Sequence, residues 1–263
     1  MPNQDHVRKV EAIVISHTEY GEADRFLTLF TREMGKVRAI AKGVRKARSR
    51  KAGHLEPFTR TALVMARGAN FWIITQAETV DAYQPIRENL LKTAQAAYVL
   101  ELLDRFASEG EEHQSLYRLI KETLSRLTEE EDTFHTVRFF ELRFLEKAGF
   151  RPEFFHCALC GAEIQAEDQY FSALQGGVLC PQCGSMTANV HPISMLALKY
   201  LRHFQRSDYD QIKTIMVPAA QQNEMEKLMQ YYFAYLAEKK LNTPTFLREI
   251  RRHPREDRGE IKL

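Results

Sequence analysis

Four cysteines stand in two pairs, "CALCG" at 157–161 and "CPQCG" at 180–184, with 19 residues between them. Two C-x-x-C pairs at this distance have the spacing of a tetrahedral zinc site, each pair offering two thiolates from one tight turn. Cys157, Cys160, Cys180 and Cys183 would fill the coordination sphere and leave no position for water, so the ion's expected role is structural. A glycine follows each pair, and positive φ at Gly161 and Gly184 would let the backbone curl around the metal. His156 and His191 flank the cluster and are expected beside it or exposed, not as ligands. A redox dithiol of the C-P-x-C kind uses one pair, not two, and Gly-Ser follows here where a helix would. A disulfide framework conflicts with a reducing compartment. A zinc deaminase would pair "HLE" at 54–56 with P-C-x-x-C, but Pro181 lies inside the cysteine pair and the first pair would have no role.

The second feature able to do chemistry is charge. The decapeptide "KGVRKARSRK", 42–51, holds six basic side chains and no acid, and Arg32–Lys51 holds nine basics against Glu33 alone. Residues 1–80 carry 14 Lys/Arg against 8 Asp/Glu, a balance of +6, whereas residues 81–150 carry 9 against 14, a balance of −5. The first block is therefore expected to meet a polyanion and the second not. A basic run alone is as consistent with a solvated face or a loose arm. Its placement points elsewhere: Lys36 and Arg38 lie on a predicted strand and Lys42, Arg45, Lys46, Arg48, Arg50 and Lys51 on the loop leaving it. Val37, Ala39 and Ala41 would then face inward and the basics outward. Such a stripe tracks phosphates, with aromatic rings to stack on bases. Phe71 and Trp72 are the candidate rings.

No catalytic set emerges. The chain has no phosphate loop for a nucleoside triphosphate, no G-x-S-x-G and no H-E-x-x-H. A zinc-dependent nucleic-acid enzyme would need an open metal position that four thiolates do not leave. An RNA-binding barrel protein and an adaptor whose basic face meets an acidic protein are the other readings.

These side chains need a scaffold. Runs at 9–17, 25–32, 36–43, 58–67 and 71–79 are β-rich and separated by turn signals at Tyr20–Glu22, Met34-Gly35, Gly53 and Gly68–Asn70. Five strands without a long helix suggest a small barrel, the oligonucleotide-binding (OB) type among the options. From Pro85 the period becomes helical: Leu91, Ala94, Tyr98 and Leu102 share one face, and Phe134, Val137, Phe140, Phe144 and Ala148 another. Thr128–Glu131 has capping-box spacing and Gly149 is a helix stop. The acidic runs Glu109–Glu112 and Glu129–Asp132 read as solvated connections between helices. Helices resume near Ser194–Gln205 and Gln221–Lys240, and the mixed-charge tail from Arg248 is expected to fray. The fold class is α+β and multidomain: a barrel domain at 1–80, a helical domain at 81–152 and 191–263, and an inserted cysteine module at 153–190. No apolar run reaches the ~18 residues that span a bilayer and the first residues lack a signal peptide's apolar core, so a cytosolic protein is expected.

"EYGEADRFLTLFTREMGKVRAIAKGVRKARS" (19–49), "GHLEPFT" (53–59) and "RGANFWIITQAE" (67–78) resemble the N-terminal domain of the bacterial RecO family. The helical block and cysteine quartet resemble the rest of that family, so the match covers nearly the whole chain. The resemblance implies an OB-fold, a helical domain with a zinc module, and a recombination mediator without catalytic turnover. It also implies binding of single- and double-stranded DNA in the cytoplasm at the nucleoid, and annealing of complementary strands. The implied partners are RecR and the acidic C-terminal tail of single-strand-binding protein, and the implied task is loading RecA onto coated strands. The basic stripe Lys36, Arg38, Lys42, Arg45, Lys46, Arg48, Arg50, Lys51 and Arg67 would then face DNA phosphate.

Overall fold

The computed structural model describes residues 6–109 and 114–237. They form two compact units, one running to Glu129 and one starting at Glu130. The tail from Arg248 and the acids of the 109–112 run after Glu109 lie outside the described residues.

The first unit is built on a closed barrel of five strands: β1 (Val7–Tyr20), β2 (Asp24–Thr31), β3 (Gly35–Ala41), β4 (Arg60–Arg67) and β5 (Trp72–Asp81), in the order β1-β2-β3-β5-β4. Strand β1 is long enough to pair with β4 through its first half and β2 through its second, and a register shift between Val14 and Ser16 bends it from one partner to the other. Only Ala39↔Trp72 and Ile40↔Ile73 close the circle, as a parallel β3–β5 contact. Alternation supplies the core: Val10, Ala12 and Val14 of β1, Leu27 and Leu29 of β2, and Val37, Ala39 and Ala41 of β3 point inward with Leu63, Met65 and Ile74. The five β-rich runs thus fold as the barrel their spacing suggested.

Against this barrel lie α1 (Gln84–Arg87), α2 (Leu90–Phe106) and α3 (Gln114–Glu129). Asn89 caps α2, its side-chain oxygen accepting from Lys92 N at 3.0 Å. Tyr117 of α3 stacks on Phe30 at 6.3 Å between centroids and donates its hydroxyl to Glu11 Oε1 at 2.9 Å; Arg60 Nη1 donates to the same oxygen at 3.1 Å. Burial alone would raise the Glu11 pKa, but the Tyr117 and Arg60 hydrogen bonds outweigh it and hold the carboxyl below its usual range. A folded pKa below the unfolded one gives stability that is present above the ordinary carboxylate range and lost as pH falls through it. Glu11→Gln is therefore expected to lower the melting temperature at pH 7, with the deficit against wild type shrinking below about pH 4; a deficit that stays constant down to pH 3 would contradict the pairing.

The second unit holds α4 (Phe134–Lys147), then a three-stranded sheet of β6 (Gln169–Ser172), β7 (Gly177–Leu179) and β8 (His191–Ile193) in the order β7-β6-β8. A single helical turn, α5 (Pro181–Ser185), interrupts the sheet, and α6 (Met195–Arg206), α7 (Tyr209–Ile212) and α8 (Ala219–Leu236) complete the unit. Phe134, Phe140, Phe144, Phe204 and Phe233 form its aromatic core, and Phe171 of β6 meets Tyr232 of α8 edge-on at 5.2 Å.

Two local expectations give way. The Thr128 spacing does not start a helix: Thr128 lies in the last turn of α3, where its hydroxyl donates to Ser125 O, and Asp132 instead accepts from Phe134 N at 3.0 Å to start α4. A threonine near a helix end satisfies its hydroxyl on the preceding turn as readily as it caps the next. Glu109 is not merely solvated, because it pairs with Arg38 at 2.7 Å. Gly149 does stop α4, with φ of 80°.

Candidate nucleic-acid interface and metal centre

The basic decapeptide is anchored, not loose. Val44 and Leu55, the last residue of a 3-10 turn at Ala52–Leu55, are fully buried in the barrel core. Gly43 adopts φ of 64° and its N–H donates to Asp24 Oδ1 at 2.7 Å, while Arg45 N donates to Ala23 O at 2.9 Å. The loop therefore caps one end of the barrel, plugged by two aliphatic side chains and tied to the turn between β1 and β2. With its backbone fixed from beneath, Lys42, Lys46, Arg48 and Arg50 are held outward.

The nine predicted basics divide into two groups. Lys36 reaches Asp104 Oδ1 at 2.8 Å, Arg38 meets Glu109, and Arg45 Nη2 meets Glu19 Oε2 at 3.0 Å. Lys51 donates to Ile74 O at 3.1 Å and Lys42 O at 3.2 Å, and burial pulls its pKa below the usual lysine range. Lys51 thus fastens the loop to β5. Lys42, Lys46, Arg48, Arg50 and Arg67 are exposed and make no ion pair among the described residues.

Of the two predicted rings, Phe71 is 38% exposed, while Trp72 turns inward against the barrel core. Phe71 packs edge-on against Phe26 at 4.8 Å, and Phe26 lies 6.5 Å from Tyr20, which is itself exposed. These rings come from the end of β1, from β2 and from the loop between β4 and β5. Tyr20 and Phe26 escaped sequence reasoning because nothing in a strand's alternation says which outward aromatic a distant loop will approach. The register Phe26↔Ile40, beside Ile40↔Ile73, sets the cluster next to the strand end from which the basic loop departs. In OB-folds this face, with the loops after β1 and β4, is where oligonucleotides lie.

The four cysteine sulfurs all lie within 4.8 Å of one another, Cys160 and Cys180 at 4.0 Å. Metal–sulfur bonds of about 2.3 Å in a tetrahedron need sulfurs roughly 3.8 Å apart, so the cluster fits a single ion. Cys157 and Cys160 sit on a turn closed by Gly161 N donating to Cys157 O at 2.8 Å; Cys180 and Cys183 sit on one closed by Gly184 N donating to Cys180 O at 2.8 Å. Burial opposes ionising Cys157, yet the backbone N–H groups of Cys160, Cys180 and Leu159 overcome it and bring the thiol down to about 6. Cys183 is pushed up to about 12, first by its contact with Cys180 and then by burial and the other two cysteines. Four adjacent sulfurs cannot all ionise without a cation among them. His156 is exposed and His191 stacks on Tyr231 at 5.6 Å, both outside the cluster.

The two glycines serve different needs. Gly161 has φ of 76°, as its turn was expected to require. Gly184 lies in the helical turn α5 with no positive φ, and its reason is space: a Cβ there would stand 2.1 Å from Tyr170 Cδ2. The second pair is thus followed by a turn of helix, contrary to expectation, though it ends at Ser185. Gly184→Ala should cost about 1–3 kcal/mol through overpacking against Tyr170, and chemical denaturation with Tyr170→Ala added should show the alanine tolerated once the ring is gone.

Comparison with known proteins agrees with this geometry. Residues 6–83 match the family model described as Recombination protein O N terminal, and residues 87–244 the model for Recombination protein O C terminal. A DNA repair protein RecO of Roseiflexus sp. (strain RS-1) is 35% identical over 94% of this chain and 87% of its own length. The RecO proteins of Dehalococcoides mccartyi (strain ATCC BAA-2266 / KCTC 15142 / 195) and Desulforamulus reducens are each 33% identical, over 89% and 92% of this chain and 92% and 94% of theirs. Barrel, helical unit, cysteine cluster and both family matches converge, and the chain belongs to the RecO family of DNA repair and recombination proteins.

Proposed function

We propose that this chain is a recombination mediator that binds DNA on its barrel and anneals complementary strands. The observation that carries the reading is the juxtaposition of an anchored loop bearing Lys42, Lys46, Arg48 and Arg50 with the Tyr20–Phe26–Phe71 rings. Cations hold the phosphate chain and rings receive bases, a combination that binds single strands without reading sequence. Annealing needs no catalytic residue. A cationic surface that holds strands lowers their mutual repulsion, and base pairing supplies the driving force. As the family resemblance implies, the protein would act in the cytoplasm with RecR, contact the acidic tail of single-strand-binding protein, and help load RecA. We also read Cys157, Cys160, Cys180 and Cys183 as the ligands of one structural zinc ion, which would pin the two turns of the module together.

A strand-annealing assay on bare and protein-coated single strands tests this directly. Wild-type protein should accelerate both reactions, and Phe71→Ala should weaken single-strand binding by about 1–3 kcal/mol if its ring stacks on a base. Unchanged binding by Phe71→Ala would remove the stacking role, and failure to anneal either substrate would remove the mediator reading. An RNA strand of the same sequence as competitor separates this reading from an RNA-binding one.

A further inference from the structure

The second unit carries a cationic cleft that the barrel's role does not use. On α6, Lys199, Arg202, His203 and Arg206 recur at i, i+3, i+4 and i+7, which places them on one helix face. They line a cleft of about 650 Å³ together with Phe155 and Tyr200. One acid, Glu163, shares the lining with these four. The cleft is built as well as charged. Arg202 Nε donates to Phe154 O at 2.7 Å, which fixes the guanidinium, and Arg202 Nη2 is buried without a hydrogen-bond acceptor among the described residues. The guanidinium of Arg206 lies 3.6 Å from the centroid of the Phe155 ring and that of Arg202 lies 5.2 Å from it. Burial, and then the neighbouring Arg206, pull the Arg202 pKa down, and Glu153 and Glu163 offset this only in part.

The orphaned N–H asks for an anionic oxygen. The arrangement of the cations selects the kind of anion. Charges laid along a helix face suit a chain of charges better than a single carboxylate, and a guanidinium seated on an aromatic ring gives a planar, positively charged platform of the sort on which bases stack. We propose that this cleft is a second nucleic-acid site, which holds the phosphates of one DNA strand while the barrel holds another. The inference rests on the annealing reading, and it gives that reading its second strand: bringing two polyanions together requires positive charge facing each of them.

The test uses full-length protein and a fluorescent 20-nucleotide oligothymidine at low salt. Three variants are compared with wild type: the barrel-loop variant Lys42→Ala/Lys46→Ala/Arg48→Ala/Arg50→Ala, the cleft pair Lys199→Glu/Arg206→Glu, and the two combined. Melting curves establish that each is folded, and Lys199→Gln/Arg206→Gln replaces the cleft pair if charge reversal disturbs the unit. The barrel-loop variant should keep weak binding that the combined variant loses by a further ~10-fold or more. The cleft pair alone should leave first-strand affinity within about twofold yet slow annealing at least ~10-fold, since only the second strand's counter-charge is gone. A 5-iodouracil strand should crosslink at Tyr200 in wild type.

The proposal is overturned if the combined variant binds no more weakly than the barrel-loop variant, or if the cleft pair anneals like wild type. It is also overturned if an acidic peptide, and no strand, occupies the cleft in a manner sensitive to the cleft pair. Loss of all binding in the barrel-loop variant sinks this proposal and leaves the barrel reading standing. Loss of all binding in the cleft pair alone, with the barrel-loop variant unaffected, overturns both readings, because no strand would then lie on the barrel.

Discussion

Protein purified without chelators is expected to contain one zinc per chain, and Cys160→Ser to lose it together with the cooperative melting of the second unit. Cys160 is the informative ligand because it is exposed, whereas Cys157 and Cys183 are buried and their replacement would also disturb packing. Structural zinc contributes about 10–16 kcal/mol in small metal-dependent domains at neutral pH. Even a fraction of that, lost from a unit of this size, should lower its melting temperature on the order of 10 °C or more. The damage should travel beyond the cysteine turns. Phe154 and Phe171, both buried, join the module to Tyr232 of α8, and Glu224 of α8 accepts from Ser194 Oγ at 2.6 Å. Strong chelation of wild-type protein should reproduce the effect, and added zinc should reverse it. Elemental analysis finding no zinc in protein that nevertheless melts as a cooperative whole would end the structural-metal reading.

Removing the loop's exposed charge should have the second large effect. If Lys42, Lys46, Arg48, Arg50 and Arg67 each meet a phosphate, log K against log salt should fall with a slope near −3.5 for single strands, about 0.7 per contact. The quadruple alanine variant of Lys42, Lys46, Arg48 and Arg50 should flatten that slope by about 2.8 units. It should also weaken binding at 0.1 M salt on the order of 10²–10³-fold. Thermal stability should hardly move, because exposed cations contribute little to folding. Lys51→Ala is the contrasting control: it breaks two hydrogen bonds that fasten the loop, so it should lower stability as well as affinity. Equal losses across homopolymers would identify phosphate contact, while strong preference for one base would assign the affinity to base edges. If the quadruple variant binds with the wild-type slope, the polyanion site is not on this loop.

What could be read from the chain followed from local rules. The alternation of Val37, Ala39 and Ala41 with Lys36 and Arg38 marks a strand with its basic residues outward, and two C-x-x-C pairs mark a cysteine cluster, because both patterns are complete within a few residues. What could not be read depends on distant partners. Lys36 meets Asp104 across 68 residues of sequence, and no rule of spacing reveals that a predicted phosphate ligand already has a carboxylate. The same holds for Tyr20 and Phe26, whose partner Phe71 is brought by the closure of the barrel. Gly184 is expected from its position to need positive φ, but it has none, and its reason, the face of Tyr170, is a tertiary fact.

The ion pairs of Lys36 with Asp104 and Arg38 with Glu109 have a thermodynamic consequence of their own. A free cation that takes up a phosphate sets a condensed sodium or potassium ion loose into bulk solution, and that liberated particle is what a salt titration counts. A phosphate that displaces Glu109 from Arg38 sets its condensed ion loose as well, but the exchange leaves a carboxylate unpaired on the same molecule. The titration counts such a contact like any other. The salt slope therefore reports how many phosphates are met, and the ion pairs given up for them lower only the salt-independent part of the affinity.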